Sequence, residues 1–455
     1  MRRLLGIEPA QPLLHSSTMH GVSDSGPFDD DDVPEGFDFS SLFGGAGAGG
    51  DPQAMLSQFM QLFGGMSGGG LDHATQVAIS VATGAKPENN VDPVERMALE
   101  QLVRVAELQV GEATGLRTST SGPLTISAVT KTDWVRKSMQ AYKPLLEKLA
   151  ESMSPPDLGS EYGSDPQMAM FQQLMGSMRP MMVGLTSGSM VGHLGARALG
   201  TYDLPLPRTG ADEILVVASN LNDLGEEWSL DPEALRLWLA LSEVTFHAVL
   251  SISHVGERIE ELIGRYTSAF DNNPKSIAES FGDIDASSGD FGAIQQQIQE
   301  MFGDPTEMLL SMRSDQQLAI LPEIATLMAP IVGYVDHIMD RIGASLIPSY
   351  PQITEALRRR RVTTSESDRF VERLLGLELD QDLYDRGAAF VDGVHERAGN
   401  DGLARLWQDP ESLPTANEIA APGLWLSRME IDFEVEIDPA ELAALDDFLE
   451  NPEEE

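Results

Sequence analysis

The run from Leu237 to Val255 is mostly apolar, and Glu243 is its only formally charged side chain. Several polar residues interrupt it, so the pattern predicts a buried core helix rather than a membrane span. Asp231 is placed to cap that helix and Pro232 suits its first turn, where a missing N–H costs nothing. From Val94 to Thr114 apolar residues recur at helical spacing, with Glu95, Arg96, Glu100 and Arg104 on the other face. Gln317 to Ile342 predicts a second long apolar helix, and Pro322 and Pro330 predict kinks or breaks in it. Further helices are expected at Phe370–Leu379 and Tyr384–Ala398, with a capped one at Thr132-Asp133-Trp134. Two short β-like segments, Leu124–Val129 and Ile214–Asn220, are the strand candidates. A methionine-rich helix, Met168–Met182, runs into Gly184, Gly188 and Gly192, and small residues at four-residue spacing let helix backbones approach closely. Arg179, His193 and Arg197 in the same segment favour a soluble core over a membrane span.

The ends read differently. Residues 1–90 hold an acidic run at Asp29–Asp32 and two glycine-rich stretches, with a possible short amphipathic helix at Met55–Phe63. A flexible leader is expected there. Glu430 to Glu455 holds twelve acidic residues and no basic one, read as a strand-like tip and a solvated tail. The expected organisation is a leader over 1–90, a folded domain over 91–435 and an acidic tail over 436–455.

Composition sharpens the choice of partners. The chain has 455 residues, 42% of them hydrophobic, and a net charge of −42. That charge argues against nucleic acid and anionic membrane and leaves a protein or peptide as the expected partner. There are no cysteines, which removes disulfides, thiolate metal sites and cysteine nucleophiles. The opening Met1-Arg2-Arg3-Leu4-Leu5 lacks the apolar core of a secretory signal, so a cytoplasmic location is expected.

Candidate chemistry centres on Glu243, because a carboxylate buried without compensation costs several kcal/mol. One explanation is the H-E-x-x-H zinc motif, two histidines a turn apart with a glutamate base between them. Here the frame is Ser242-Glu243-Val244-Thr245-Phe246, with the glutamate and neither histidine. Glu243 and His247 lie one helical turn apart, so they can share a face and pair; burial can also keep Glu243 protonated. The arginine run Arg358–Arg361 is expected to offset acidic neighbours at a helix end. Gly282–Gly292 reads as a solvated polar loop, and its aspartates lack the spacing of a calcium loop. No P-loop, dinucleotide fingerprint or Gly-x-Ser-x-Gly elbow stands out.

Several blocks then occur in a telling order: Leu116–Trp134, the Gly200–Pro207 stretch, Ala218–Asn220, the helix after Asp231, Gly333–Asp340, Ile347–Ser349, the arginine run, Tyr384–Gly387 and Leu413–Trp425. Together they resemble the zincin-like hydrolases, a family labelled zinc-dependent metallopeptidases, over about residues 95 to 430. The resemblance implies a mainly α fold, a zincin-like helical domain with a small sheet. It also implies zinc ligands at the positions held here by Ser242, Phe246 and Val332, a general base at Glu243, and an outer carboxylate at Asp336. Catalytic zinc takes three protein ligands and a water. With all three positions replaced, no cofactor is expected, and the chain is expected to be a non-catalytic homologue that acts by binding. The alternative is an active hydrolase with a site rebuilt around Glu243 and His247, Asp336 and His337 serving as substitute ligands.

Overall fold

The computed structural model describes residues 70–152, 184, 187–208, 212–270, 313–362 and 366–432. The chain divides into residues 1–62 and 63–455, and every described residue belongs to the second unit. The segments expected at Met55–Phe63, Met168–Met182 and Gly282–Gly292, and the tail beyond residue 432, lie outside the described residues.

The domain is mainly helical. Its helices are α1 (Gly70–Thr83), α2 (Pro93–Thr114), α3 (Lys131–Ala141), α4 (Lys143–Ser152), α5 (Ala218–Glu227), α6 (Pro232–Leu250), α7 (Ser253–Ser268), α8 (Asp315–Leu346), α9 (Tyr350–Val362), α10 (Glu366–Leu374), α11 (Gln381–Arg405), α12 (Ala416–Ala420) and α13 (Pro422–Arg428). A further helical stretch covers 187–197. Two strands, β1 (Thr125–Val129) and β2 (Glu213–Val217), form a parallel pair running from Thr125↔Glu213 to Val129↔Val217.

Helix α6 is the centre. Asp231 accepts the Ala234 N–H at 2.7 Å, and every residue from Trp238 to Leu250 is buried. A helix apolar all round must be enclosed, and α2, α7, α8, α9 and β2 all pack against it. The apolar face of α2, with Leu99, Val103, Ala106 and Val110, is turned to this core.

Helix α8 corrects one expectation. Pro322 and Pro330 do not break it; it runs through both as one helix of 32 residues. Its start is fixed by a capping box between Ser314 and Gln317, and the buried Gln317 amide also donates to the Tyr266 carbonyl at 3.2 Å. Flanking packing thus outweighs the two missing N–H donors. By length and composition α8 could cross a membrane, but its apolar window is largely buried inside the domain.

Other boundaries also move. The strand expected to reach Asn220 ends at Val217, and the chain turns helical at Ala218. The cap of α3 is Thr130, whose hydroxyl accepts the Asp133 N–H at 3.1 Å. The leader boundary expected at residue 90 falls inside ordered structure: α1 begins at Gly70 and buries Ala74, Ala78 and Ala82. The glycine spacing explains how α1 docks. A Cβ on Gly188 or Gly192 would press on the Ala74 or Ala78 carbonyl of α1. The break in α11 falls at Gly399, at φ 62° and ψ −158°, directly after the helix end expected at Ala398.

The tightest crossing joins α8 and α11. A Cβ on Gly333 would run into the Gly387 carbonyl group, and one on Gly387 into the Ala329 carbonyl. Both obstacles are backbone, which cannot rotate aside. Gly387→Ala is therefore expected to destabilise the domain by about 3 kcal/mol, the upper end of overpacking costs. Urea unfolding monitored by circular dichroism measures it; a loss below about 0.5 kcal/mol, the range of ordinary surface changes, would show that the helices separate freely.

Candidate functional site

Glu243 sits in the middle of α6, only 3% exposed. Its carboxyl group does not reach His247. It accepts instead the backbone N–H of Thr201 at 2.8 Å and of Tyr202 at 3.1 Å. The segment that supplies these donors is held by Trp134, whose indole donates to the Gly200 carbonyl at 2.9 Å. Gly200 is required there, because a Cβ at that position would overlap the Glu243 carboxyl group. Burial, and then the charge of Asp203, push the Glu243 carboxyl up to about 8, although the two N–H donors and Arg208 pull the other way. Burial thus favours the neutral acid over the carboxylate.

His247, one turn further on, is tied elsewhere. Its Nδ1 lies 2.7 Å from the Tyr202 hydroxyl and its Nε2 3.5 Å from Asp212, the latter at the outer limit of a hydrogen bond. Burial keeps the ring neutral against the opposing pull of Asp212. The tautomer that serves both neighbours carries its proton on Nε2, facing the carboxylate, and accepts the tyrosine proton on Nδ1. Burial, with Glu243 nearby, raises the Tyr202 hydroxyl and keeps it a donor. Asp212 is itself anchored by the backbone N–H groups of Thr120, Ser121 and Gly122 and by two hydroxyls. Burial raises its carboxyl, but those donors outweigh it and hold the group well below the usual range.

Ser242 and Phe246 face the same region as Glu243, around a small cavity of about 100 Å³ also lined by Trp238, Tyr202, Arg360 and Tyr384. Phe246 stacks on Tyr202 with ring centres 6.2 Å apart. Val332 is fully buried on α8, which packs against α6. Between them, the three positions to which the resemblance assigns ligands offer one hydroxyl. They do not fit a zinc ion, which takes imidazole, carboxylate or thiolate donors.

The substitute ligands are not brought together. Asp336 forms a two-pronged pair with Arg361 at 2.9 and 3.1 Å, and that guanidinium lies 4.4 Å over the Tyr384 ring. His337 turns to α11, with Nδ1 3.5 Å from Asp392 and its ring 4.7 Å from that of His395. Among the described residues no three His, Asp or Glu side chains are grouped so as to hold a metal. His193 lies on the 187–197 helical stretch and His254 at the start of α7.

The arginine run does meet acidic neighbours. Arg358 faces Asp340 at 3.6 Å, Arg359 pairs with Glu355 at 2.6 Å, Arg360 approaches Asp203 at 3.6 Å, and Arg361 takes Asp336. Arg360 also donates to the Arg197 carbonyl. Four residues central to the site, Gly200, Thr201, Tyr202 and Asp212, carry no motif of their own. The signal for the first three was the stretch Gly200–Pro207 next to a strand, the kind of irregular backbone that leaves N–H groups free to bind a carboxyl group, and Asp212 had none.

Three comparisons place the chain. No curated protein matches it. Its fold is similar to a crystal structure from Chloroflexus aurantiacus described as "a putative hydrolase with a novel fold", with a TM-score of 0.55 and 22% identity. That match covers 79% of this chain and 98% of the other. The zincin-like metallopeptidase family model matches residues 71–426, beginning within α1, the first of the described helices. With the described helical domain matched almost from end to end, the chain belongs to the zincin-like metallopeptidase family.

Proposed function

We propose that this chain is a zincin-fold protein that has given up zinc hydrolysis and acts by binding a protein or peptide. The observation that carries this reading is the state of Glu243. Its Oε2 accepts both the Thr201 and Tyr202 N–H groups, the Tyr202 N–H is shared with Oε1 at 3.2 Å, and burial pushes the carboxyl up to about 8. A general base needs a free lone pair within reach of the water it activates. Ser242 and Phe246 line the same small cavity as Glu243 and Val332 is buried on α8, so these three positions offer no ligand set for an ion of the family's kind. The cavity next to Glu243 has room for a few water molecules and not for a peptide. A separate groove of about 680 Å³, between α7, α8 and the segment 410–416, is large enough for a few peptide side chains. Its walls include Leu262, Leu327, Leu413 and Pro414, with Glu257, Glu261 and Glu323 among its charged groups. That lining suits a protein or peptide better than nucleic acid or an anionic membrane, as does the net charge of −42.

Purified protein is expected to hold far less than one zinc per chain by elemental analysis. One tightly held zinc per chain that survives brief chelation would overturn this reading in favour of a rebuilt site.

Glu243 gives a pH signature. Its carboxyl is raised in the folded state, so between its unfolded value near 4.5 and about 8 the folded protein binds the extra proton. Stability from this group is therefore fully present below about 4.5 and lost as pH rises through 8, with a slope approaching about 1.4 kcal/mol per pH unit. Glu243→Gln should remove that part of the slope in urea unfolding between pH 5 and 8. A peptidase activity that vanishes with this substitution while the fold persists would count for an enzyme.

The back-substitution Ser242→His, Phe246→His and Val332→Glu places three polar groups in a region now buried. The metal-free variant is expected to lose more than about 2 kcal/mol. Zinc at a hundred times its Kd should return about 2.7 kcal/mol. A variant that is as stable as the parent and indifferent to zinc in thermal melts would detach these positions from the family's ligands.

A further inference from the structure

The face of α2 opposite its buried side is apolar and open. Val94 is 74% exposed, Met97 58%, Val105 42% and Leu108 65%. At 100° per residue these four fall within about one-third of the helix circumference, with Gln101 in their midst, and span about 21 Å along the axis. Leu99, Val103, Ala106 and Val110, on the other side, already serve the core. The outward stripe is thus not a by-product of core packing. Four large apolar side chains in one row on a helix of a chain this acidic call for a cover.

The order of the stripe identifies the cover. Val94 and Leu108 stand at equal distances on either side of Gln101, and so do Met97 and Val105. A second copy of α2 laid antiparallel across a two-fold axis at Gln101 would set Val94 against Leu108, Met97 against Val105, and Gln101 against its own image. That is the self-complementarity a two-fold interface demands. Charge follows the same rule. Glu100 and Arg104 lie along one edge of the stripe. In an antiparallel pair like edges face each other, and helical side chains lean toward their own N-terminus. Arg104 of each copy is thereby brought to Glu100 of the other, twice over. The guanidinium has donors to spare for this while keeping Glu107 of its own helix at 2.6 Å. The central glutamine pair supplies a polar layer that fixes register, as a single polar position does in coiled coils.

We propose that this outward face of α2 is a self-association surface on which a second copy of the chain packs antiparallel about Gln101. This inference is independent of the lost zinc chemistry, since α2 contributes no residue to the Glu243 site.

Analytical ultracentrifugation of the full chain over a micromolar concentration series, at physiological salt so that long-range repulsion is screened, tests it. The parent is expected to show a monomer–dimer equilibrium. Leu108→Glu and Arg104→Glu should each weaken dimerisation by about tenfold or more, a change of about 1.4 kcal/mol. Both positions are exposed, so circular dichroism should be unchanged, and so should melting at concentrations low enough to keep the parent monomeric. The charge-swapped pair Glu100→Arg with Arg104→Glu should recover affinity to within about threefold of the parent, which only antiparallel edge-to-edge pairing explains. A parent that stays monomeric throughout overturns the proposal. So does a dimer indifferent to both single variants, or a swapped pair no better than Arg104→Glu alone. A different protein seated on this face, with the parent monomeric, also counts against it.

Discussion

The domain depends on what is done with one carboxyl group. A side chain in the middle of the most enclosed helix must be neutralised, hydrogen-bonded or both, or the helix cannot stay buried. Here the solution is backbone: the N–H groups of Thr201 and Tyr202 close over Glu243. That closure needs a residue without a side chain at Gly200, a tryptophan to hold its carbonyl, and a strand pair to bring the segment alongside α6. The Thr201 hydroxyl adds to the last of these, accepting the Leu215 N–H of β2 at 2.7 Å. The small sheet, the irregular Gly200–Pro207 segment and the central helix are thus one construction around a single acid.

Around it, the polar groups that an ion would otherwise engage are spoken for by one another. Asp336 is paired with Arg361, with the Tyr384 ring beneath the guanidinium. His247 is shared between Tyr202 and Asp212. Such an arrangement is stable without a cation, because each buried charge meets an opposite charge or a set of donors. Phe246 extends the apolar core into the same neighbourhood, and the space left beside Ser242 is small. Membership of the family and the proposed reading as a binding protein are therefore compatible, since one scaffold can carry different sites.

Much of this was legible along the chain, where the physics is local. Helical periodicity located α2, α6, α8 and most of α11, and Asp231 located the start of α6, because those signals reside in neighbouring side chains and backbone. The ordered blocks from Leu116 to Trp425 identified the family, and the frame around Glu243 exposed the missing ligands. Local rules failed where burial overrode them. Two prolines did not interrupt α8, since its packed surroundings hold the helix together, and the apolar run after Ile214 did not remain extended beyond Val217. Composition alone also gave little sign of α1, which buries Ala74, Ala78 and Ala82 and whose carbonyls at Ala74 and Ala78 lie where a Cβ on Gly188 or Gly192 would fall.

The sequence by itself determined that an acid lies on a core helix, that Ser242 and Phe246 flank it in a frame without histidines, and that the fold is helical with a small sheet. Only the tertiary structure decided who satisfies that acid. Two backbone N–H groups more than forty residues away do so, and a backbone donor looks the same in every sequence. Only the tertiary structure turned His247 toward Asp212 rather than Glu243, separated Asp336 from His337 by giving them different partners, and left one face of α2 uncovered. Spacing along a helix says which side chains share a face. What lies opposite that face is set by how the elements pack, and no local pattern encodes it.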